Sequence, residues 1–266
     1  MLGVIVEKWD GILFSIYNFV AGILYLIKYP QIHSIIKRNQ ELKDKHKDER
    51  CFIVLNGPSL NQYNLNFLKD EQVICTNFMF KSDLVKMIKP TYYCWLDSIF
   101  LVKKDWYAIQ REIQERCPNV KIIVNMKGYR KDIDSGNIYY TYNKYKPNIF
   151  RLGPGIHKMS PGYQNVALYA INNAIYMGFK EIYLIGLNFT PGHFDHFENL
   201  SVESDDARKE EEKDKVCECY WDYAQAHYES FYLRKYADSQ GVRIINLTKE
   251  SYIRAFEFGK IEDFYQ

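Results

Sequence analysis

The strongest constraint on the fold is a rhythm of short apolar runs separated by polar or helical stretches. CFIVL (51–55), VICTN (73–77), TYYCWLD (91–97) and KIIVN (121–125) are rich in β-branched and aromatic residues. So are IYYTYN (138–143), EIYLIGLNF (181–189) and VRIINL (242–247). Apolar runs of this length, bounded by turn residues, read as strands buried on both faces. Helical stretches fall between the later ones, over 162–177 and 216–239. This alternation predicts an α/β domain built on a doubly wound, mostly parallel sheet.

Such sheets bind ligands beyond the carboxyl ends of their strands, where the strand order reverses. The residues in those positions are unusually polar: Asn56-Gly57, Asn77, Asp97-Ser98, Asn125 and Asn188. Together they suit a ligand that needs many directional hydrogen bonds, such as a sugar nucleotide.

LNGPSL (55–60) follows the first strand directly. Gly57 allows close backbone approach, Pro58 fixes the turn, and Ser59 can cap a following helix whose free N–H groups attract phosphate. Asn56 offers both donors and an acceptor to a base or ribose. Ser160-Pro161-Gly162, after the turn Gly153-Pro154-Gly155, is expected to open the helix YQNVALYAINNAIYMG and present a second set of backbone donors. The apolar spacing of Val166, Ala170, Ala174 and Met177 marks that helix as core.

His193-Phe194-Asp195-His196 lies on the loop after the strand that ends near Asn188. A histidine titrates near working pH, and two of them on one loop after a strand suit proton transfer. The charged stretch 198–215 reads as a mobile lid or, equally, a solvated helical insertion. Asp132-Ile133-Asp134 has the form of a metal-binding Asp-x-Asp but reads as a charged turn, and no metal site is expected. None of the six cysteines forms a CxxC pair, which favours a reduced setting.

Residues 11–27, GILFSIYNFVAGILYLI, carry no charge and are flanked by Asp10 and Lys28. The run falls a little short of the roughly 20 residues that cross a bilayer. Trp9, Tyr17, Tyr25 and Tyr29 suit a headgroup boundary, and Lys28, Lys37 and Arg38 suit an anionic surface. A membrane surface is therefore an expected partner through residues 9–38. A buried core helix and a true span stay open beside it. The mixed-charge run 39–50 reads as a solvated helix end or linker. The expected division is thus a membrane-associating segment over 1–48 and a catalytic domain over 49–266. The net charge of +2 gives no footprint for nucleic acid.

LNGPSL with Asn77, and GYQNVALYAINNAIYMGFKEIYLIGLNF, resemble the bacterial sialyltransferases of glycosyltransferase family 42. They equally resemble the broader MptE-like/MAF domain family, which includes pterin pyrophosphokinases and flagellin-glycosylation proteins. The likeness covers about residues 51–250. It implies a Rossmann-like, GT-A-like catalytic fold and a CMP-linked sialic-acid-type donor, with no cofactor. Asn56, Gly57, Ser59, Asn77, Ser160 and Gly162 would hold the nucleotide, with Pro58 and Asn188 beside them. Family 42 binds the donor phosphate with two tyrosines after the late strand, where this chain offers Thr190 and His196. A family-42-like mechanism also implies a histidine that removes the proton of the acceptor hydroxyl, for which His193, His196 and His227 are the candidate bases. TYYCWLD, ending in Asp97, matches the MptE-like group better.

The resemblance further implies a glycan or lipid-linked acceptor and a place at the cytoplasmic face of the bacterial inner membrane, in capsule or lipopolysaccharide synthesis. A homo-oligomer stays open. Two alternatives stand beside sugar transfer. One is pyrophosphoryl transfer from ATP with Mg²⁺ held by Asp97, Asp132 or Asp134; the other is a non-catalytic module that recognises a ligand at the membrane.

Overall fold

The computed structural model describes residues 2–102, 106–131, 136–147, 155–190 and 216–265. Its centre is an eight-stranded sheet in which every neighbouring pair is parallel. The strands are β1 (Arg50–Val54), β2 (Val73–Thr76), β3 (Tyr92–Trp95), β4 (Lys121–Asn125), β5 (Ile138–Thr141), β8 (Glu181–Ile185), β9 (Arg243–Asn246) and β10 (Glu257–Phe258). Their spatial order is β10-β9-β8-β1-β2-β3-β4-β5. The chain starts in the middle with β1, steps outward to β5, and returns on the other side of β1 with β8. The order therefore reverses between β1 and β8.

Alternate side chains of the central strands feed two separate cores, as the period of two requires. Cys51, Ile53, Ile74, Tyr92, Cys94 and Ile123 face α6 (Val166–Tyr176) and the long helix α7 (Val216–Ser239). Phe52, Val54, Val73, Cys75, Tyr93 and Trp95 face the opposite layer. That layer includes α3 (Leu84–Ile88), α4 (Ser98–Val102) and α5 (Trp106–Arg116). Burial on both faces explains why these strands lack polar alternation. Burial also raises the thiol pKa of Cys51 and Cys75 well above its usual value.

Two expectations need correction. The run 39–50 is no linker. Ile32 and Ile36 of α2 (Ile32–Lys37), and Leu42 after it, are at most 1% exposed. The Asn39 amide donates to the carbonyls of Tyr140 at 2.8 Å and Ile156 at 2.7 Å. His46 stacks on Phe179 with ring centroids 4.5 Å apart. The backbone N–H groups of Asp44, His46 and Asp48 bond the carbonyls of Tyr176, Met177 and Gly178. Charge marks only the outward side of this stretch, and the packing runs unbroken past residue 48.

Ser160-Pro161-Gly162 does not open a helix either. It forms β7 (Ser160–Gly162), which pairs in parallel with β6 (Asn143–Pro147) in a small second sheet. The helix α6 begins only at Val166.

The first helix, α1 (Leu2–Lys28), docks on that small sheet through one face. Asn18 and Tyr25 are buried there, and Tyr25 packs on Tyr142 with ring centroids 4.8 Å apart. Its other face leaves Leu13, Ile16, Phe19, Leu24 and Ile27 exposed. Among the described residues no single helix is long and apolar enough to cross a membrane. Ser15–Lys28 and Ile32–Leu42 reach that threshold as a pair, but they meet at 105°. Of the apolar side chains of the second member, Ile32, Ile36 and Leu42 are buried in the body.

Candidate functional site

A cleft of about 400 Å³ opens at the β1/β8 reversal. Sterically, two glycines make it possible. A side chain on Gly57 would stand 2.2 Å from the Gly186 carbonyl oxygen and 2.2 Å from Asn188 Oδ1. Gly186 has φ +77°, and a Cβ there would meet the Leu55 carbonyl oxygen at 2.4 Å. The chain leaving β1 thus lies directly on the chain leaving β8, fixed by the Gly57 N–H donating to Gly186 O at 2.9 Å.

Asn56, Gly57, Pro58, Asn77, Asn188 and Thr190 line this cleft, six of the residues singled out from sequence. Asn56 bridges the ends of two strands: its amide donates to Thr76 O at 3.1 Å and accepts from Phe78 N at 3.2 Å. Ser59 stands behind the wall, where its hydroxyl and its backbone N–H both donate to Asn188 Oδ1, at 2.7 and 3.2 Å. It therefore orients Asn188 and does not cap a long helix; residues 58–62 form a single 3₁₀ turn. Asn77 Oδ1 is buried without a partner. Asn77 (φ +46°) and Phe189 (φ +50°) both hold left-handed backbone, and strain in non-glycine residues tends to gather at functional sites.

The opposite wall is the start of α6. Asn165 caps it, its side chain accepting from Leu168 N at 3.0 Å. The first N–H groups of a helix have no partner within it, and here Asn165, Val166 and Ala167 line the cleft. With the helix dipole, this end favours a phosphate.

Asn165, Thr76, Tyr223 and Glu250 also line the cleft and were missed from sequence. For Asn165 a signal was there: an Asn directly before the apolar run is a cap signature. Tyr223 and Glu250 arrive from distant parts of the chain, and no local pattern marks them.

Other predicted residues lie elsewhere. Ser160 is fully buried, bonded to Asn143 and the Tyr142 carbonyl in a polar network that continues through Thr141 to Tyr169. Gly162 sits beside it in β7. Asp97 is exposed just beyond β3. His227, on α7, packs on Phe189 with ring centroids 5.3 Å apart. Its Nε2 lies 2.8 Å from the Tyr252 carbonyl and its Nδ1 3.3 Å from the Tyr223 carbonyl. A neutral ring has one N–H and bonds one of these carbonyls; from Nε2 it ties α7 to the loop after β9. His193, His196, the Asp132–Asp134 turn and the expected lid at 198–215 lie outside the described residues. No group of three or more metal-ligating side chains occurs among the described residues.

The fold is shared with a protein of known structure. The sialyltransferase CstII from Campylobacter jejuni, solved with cytidine-5'-monophosphate, superposes with a TM-score of 0.52. The alignment has 16% identity and covers 83% of this chain and 88% of that one. The MAf glycosyltransferase of Magnetospirillum magneticum AMB-1 is similar with a TM-score of 0.48 and 13% identity, over 90% of this chain and 41% of that one. No curated protein matches by sequence. Residues 25–191 match the family model described as 6-hydroxymethylpterin diphosphokinase MptE-like. That match spans α2, β1 to β8 and the whole β1/β8 reversal, and the chain belongs to the MptE-like family.

Proposed function

We propose that this chain is a glycosyltransferase that moves a sugar from a nucleotide donor, of the CMP-sialic-acid type, to a glycan or lipid-linked acceptor. The observation that carries this reading is the cleft, where amide side chains from three strand ends meet the N-terminus of α6. Amides at Asn56, Asn77 and Asn188 suit a base and ribose, and the helix start with Thr190 suits the phosphate that departs. Charge that builds on the leaving phosphate is then stabilised by fixed dipoles. The acceptor hydroxyl gives its proton to a histidine. With both His227 nitrogens facing carbonyls, the assignment falls to His193 or His196, in the segment that follows Thr190.

In this reading α1 lies flat on the cytoplasmic face of the inner membrane, its exposed apolar face in the headgroup boundary and Lys28 toward anionic lipid. A membrane-borne acceptor of capsule or lipopolysaccharide synthesis then shares a plane with the enzyme.

The family match favours a second reading, Mg²⁺-dependent pyrophosphoryl transfer from ATP to a pterin-like alcohol. The cleft lining offers one carboxylate among the described residues, Glu250, where Mg²⁺ on a triphosphate is commonly held by one or two carboxylates beside the phosphates.

A thermal-shift panel with CMP, CDP, UDP, GDP and ATP, each with EDTA or Mg²⁺, separates the readings. The expected result is a shift by CMP that survives EDTA. A response to ATP with Mg²⁺ alone replaces sugar transfer with pyrophosphoryl transfer, and a response to UDP or GDP replaces only the donor.

A further inference from the structure

Glu229 lies on the buried side of α7 and is 1% exposed. Its Oε2 accepts the Gln164 N–H at 2.8 Å, and its Oε1 is buried without a partner. Gln164 immediately precedes Asn165, the cap of α6 and the first of three consecutive residues in the cleft wall. One carboxyl on a second helix therefore fastens the segment that aims the α6 N–H groups at a ligand. For the backbone bond alone, a neutral amide would serve as well and avoid the cost of burying an acid.

We propose that Glu229 is a positioning residue for the nucleotide phosphate, holding the start of α6 in place as a neutral acid and opposing the phosphate once ionised. The assignment rests on the nucleotide reading of the cleft. Burial pushes the carboxyl up to about 8, against the smaller opposing effect of the Gln164 bond. No charged neighbour among the described residues contributes to that shift. Titratable side chains on the packed elements are Tyr163 and Tyr169, before and on α6, and Tyr232, one helical turn along α7 from Glu229. Ionisation thus places a new negative charge beside a helix start that otherwise attracts anions.

The test is CMP binding to the full chain by calorimetry, with ATP as a second probe, between about pH 6.5 and about pH 9.5. Wild-type affinity is expected to fall roughly tenfold across the upper half of that range. Glu229→Gln, which keeps an acceptor for Gln164, is expected to bind as wild type at neutral pH and to stay level above it. Glu229→Ala is expected to bind roughly tenfold more weakly throughout. Parallel pH profiles for wild type and Glu229→Gln overturn the proposal, as does wild-type binding by Glu229→Ala. A wild-type chain that binds neither nucleotide at any pH overturns the cleft reading itself, and the role of Glu229 with it.

Discussion

Gly57 and Gly186 meet where β1 and β8 end, and their contact leaves no room for a methyl group. Gly57→Ala must separate the two chains or displace Asn188, since both lie 2.2 Å from the new atom. The expected cost is about 1–3 kcal/mol of stability, as for other overpacked sites, and denaturant unfolding checks it. Nucleotide binding should fall further than stability does, because Asn188 is the group displaced. Asn188→Ala separates the two effects: Ser59 loses an acceptor at about 1 kcal/mol, while nucleotide affinity falls roughly tenfold. Unchanged affinity in that variant removes Asn188 from the site.

Glu229 adds a stability prediction of definite sign. Its folded pKa, raised to about 8, lies above the ordinary carboxyl value of 4.5. Between those two values the unfolded chain has lost a proton that the folded chain retains, so stability falls as pH rises through that window and levels off above it. Glu229→Gln should lack this slope. Urea midpoints of the two proteins at pH 5 and pH 8, values that bracket most of the window, measure the difference.

At the scale of elements, seven of the eight strands in the main sheet were legible because each is buried on both faces and carries an unbroken apolar run. β10, with two residues, was not, for it is too short to carry a pattern. The small β6–β7 sheet was hidden because SPG has the composition of a turn, and its extended geometry comes from pairing with β6. The cleft was legible on its β1 and β8 sides, where asparagines follow strands at once. Tyr223 and Glu250 were not legible, since only the tertiary fold brings α7 and the loop after β9 to the same mouth. The element with the clearest sequence signature, α1, carries its own prediction. Ile16→Ser with Phe19→Ser alters the exposed face and leaves the docked residues Asn18 and Tyr25 untouched. Sedimentation with anionic vesicles should drop severalfold, while thermal stability stays within about 0.5 kcal/mol, as for exposed substitutions. Equal sedimentation of variant and wild type excludes this face as the membrane contact.

For the whole molecule the question is where the structural unit begins. A charge run suggests residue 49, but the contacts place the start earlier. Ile32, Ile36 and Leu42 are buried to within 1%, and each such side chain contributes about 1.5–3 kcal/mol. Three of them approach the entire net stability of an ordinary domain, about 5–15 kcal/mol. Asn39 ties the same stretch to β5 and to Ile156, and His46 covers Phe179 at the end of α6. Removal of residues 1–28 deletes α1 and uncovers Tyr142 and Met159 on the small sheet, yet leaves this buried stretch in place. Removal of residues 1–48 deletes it. The shorter truncation is therefore expected to unfold cooperatively and to bind nucleotide like the full chain, with vesicle binding lost. The longer one is expected to be aggregated or molten, with its near-ultraviolet circular dichroism lost. A cooperative, nucleotide-binding protein that begins at residue 49 would show that residues 29–48 only decorate the domain. The expected failure of that truncation makes the segment after α1 part of the fold that shapes the cleft, with Ile32 and Ile36 in the core on one face of the sheet and Leu42 in the core on the other.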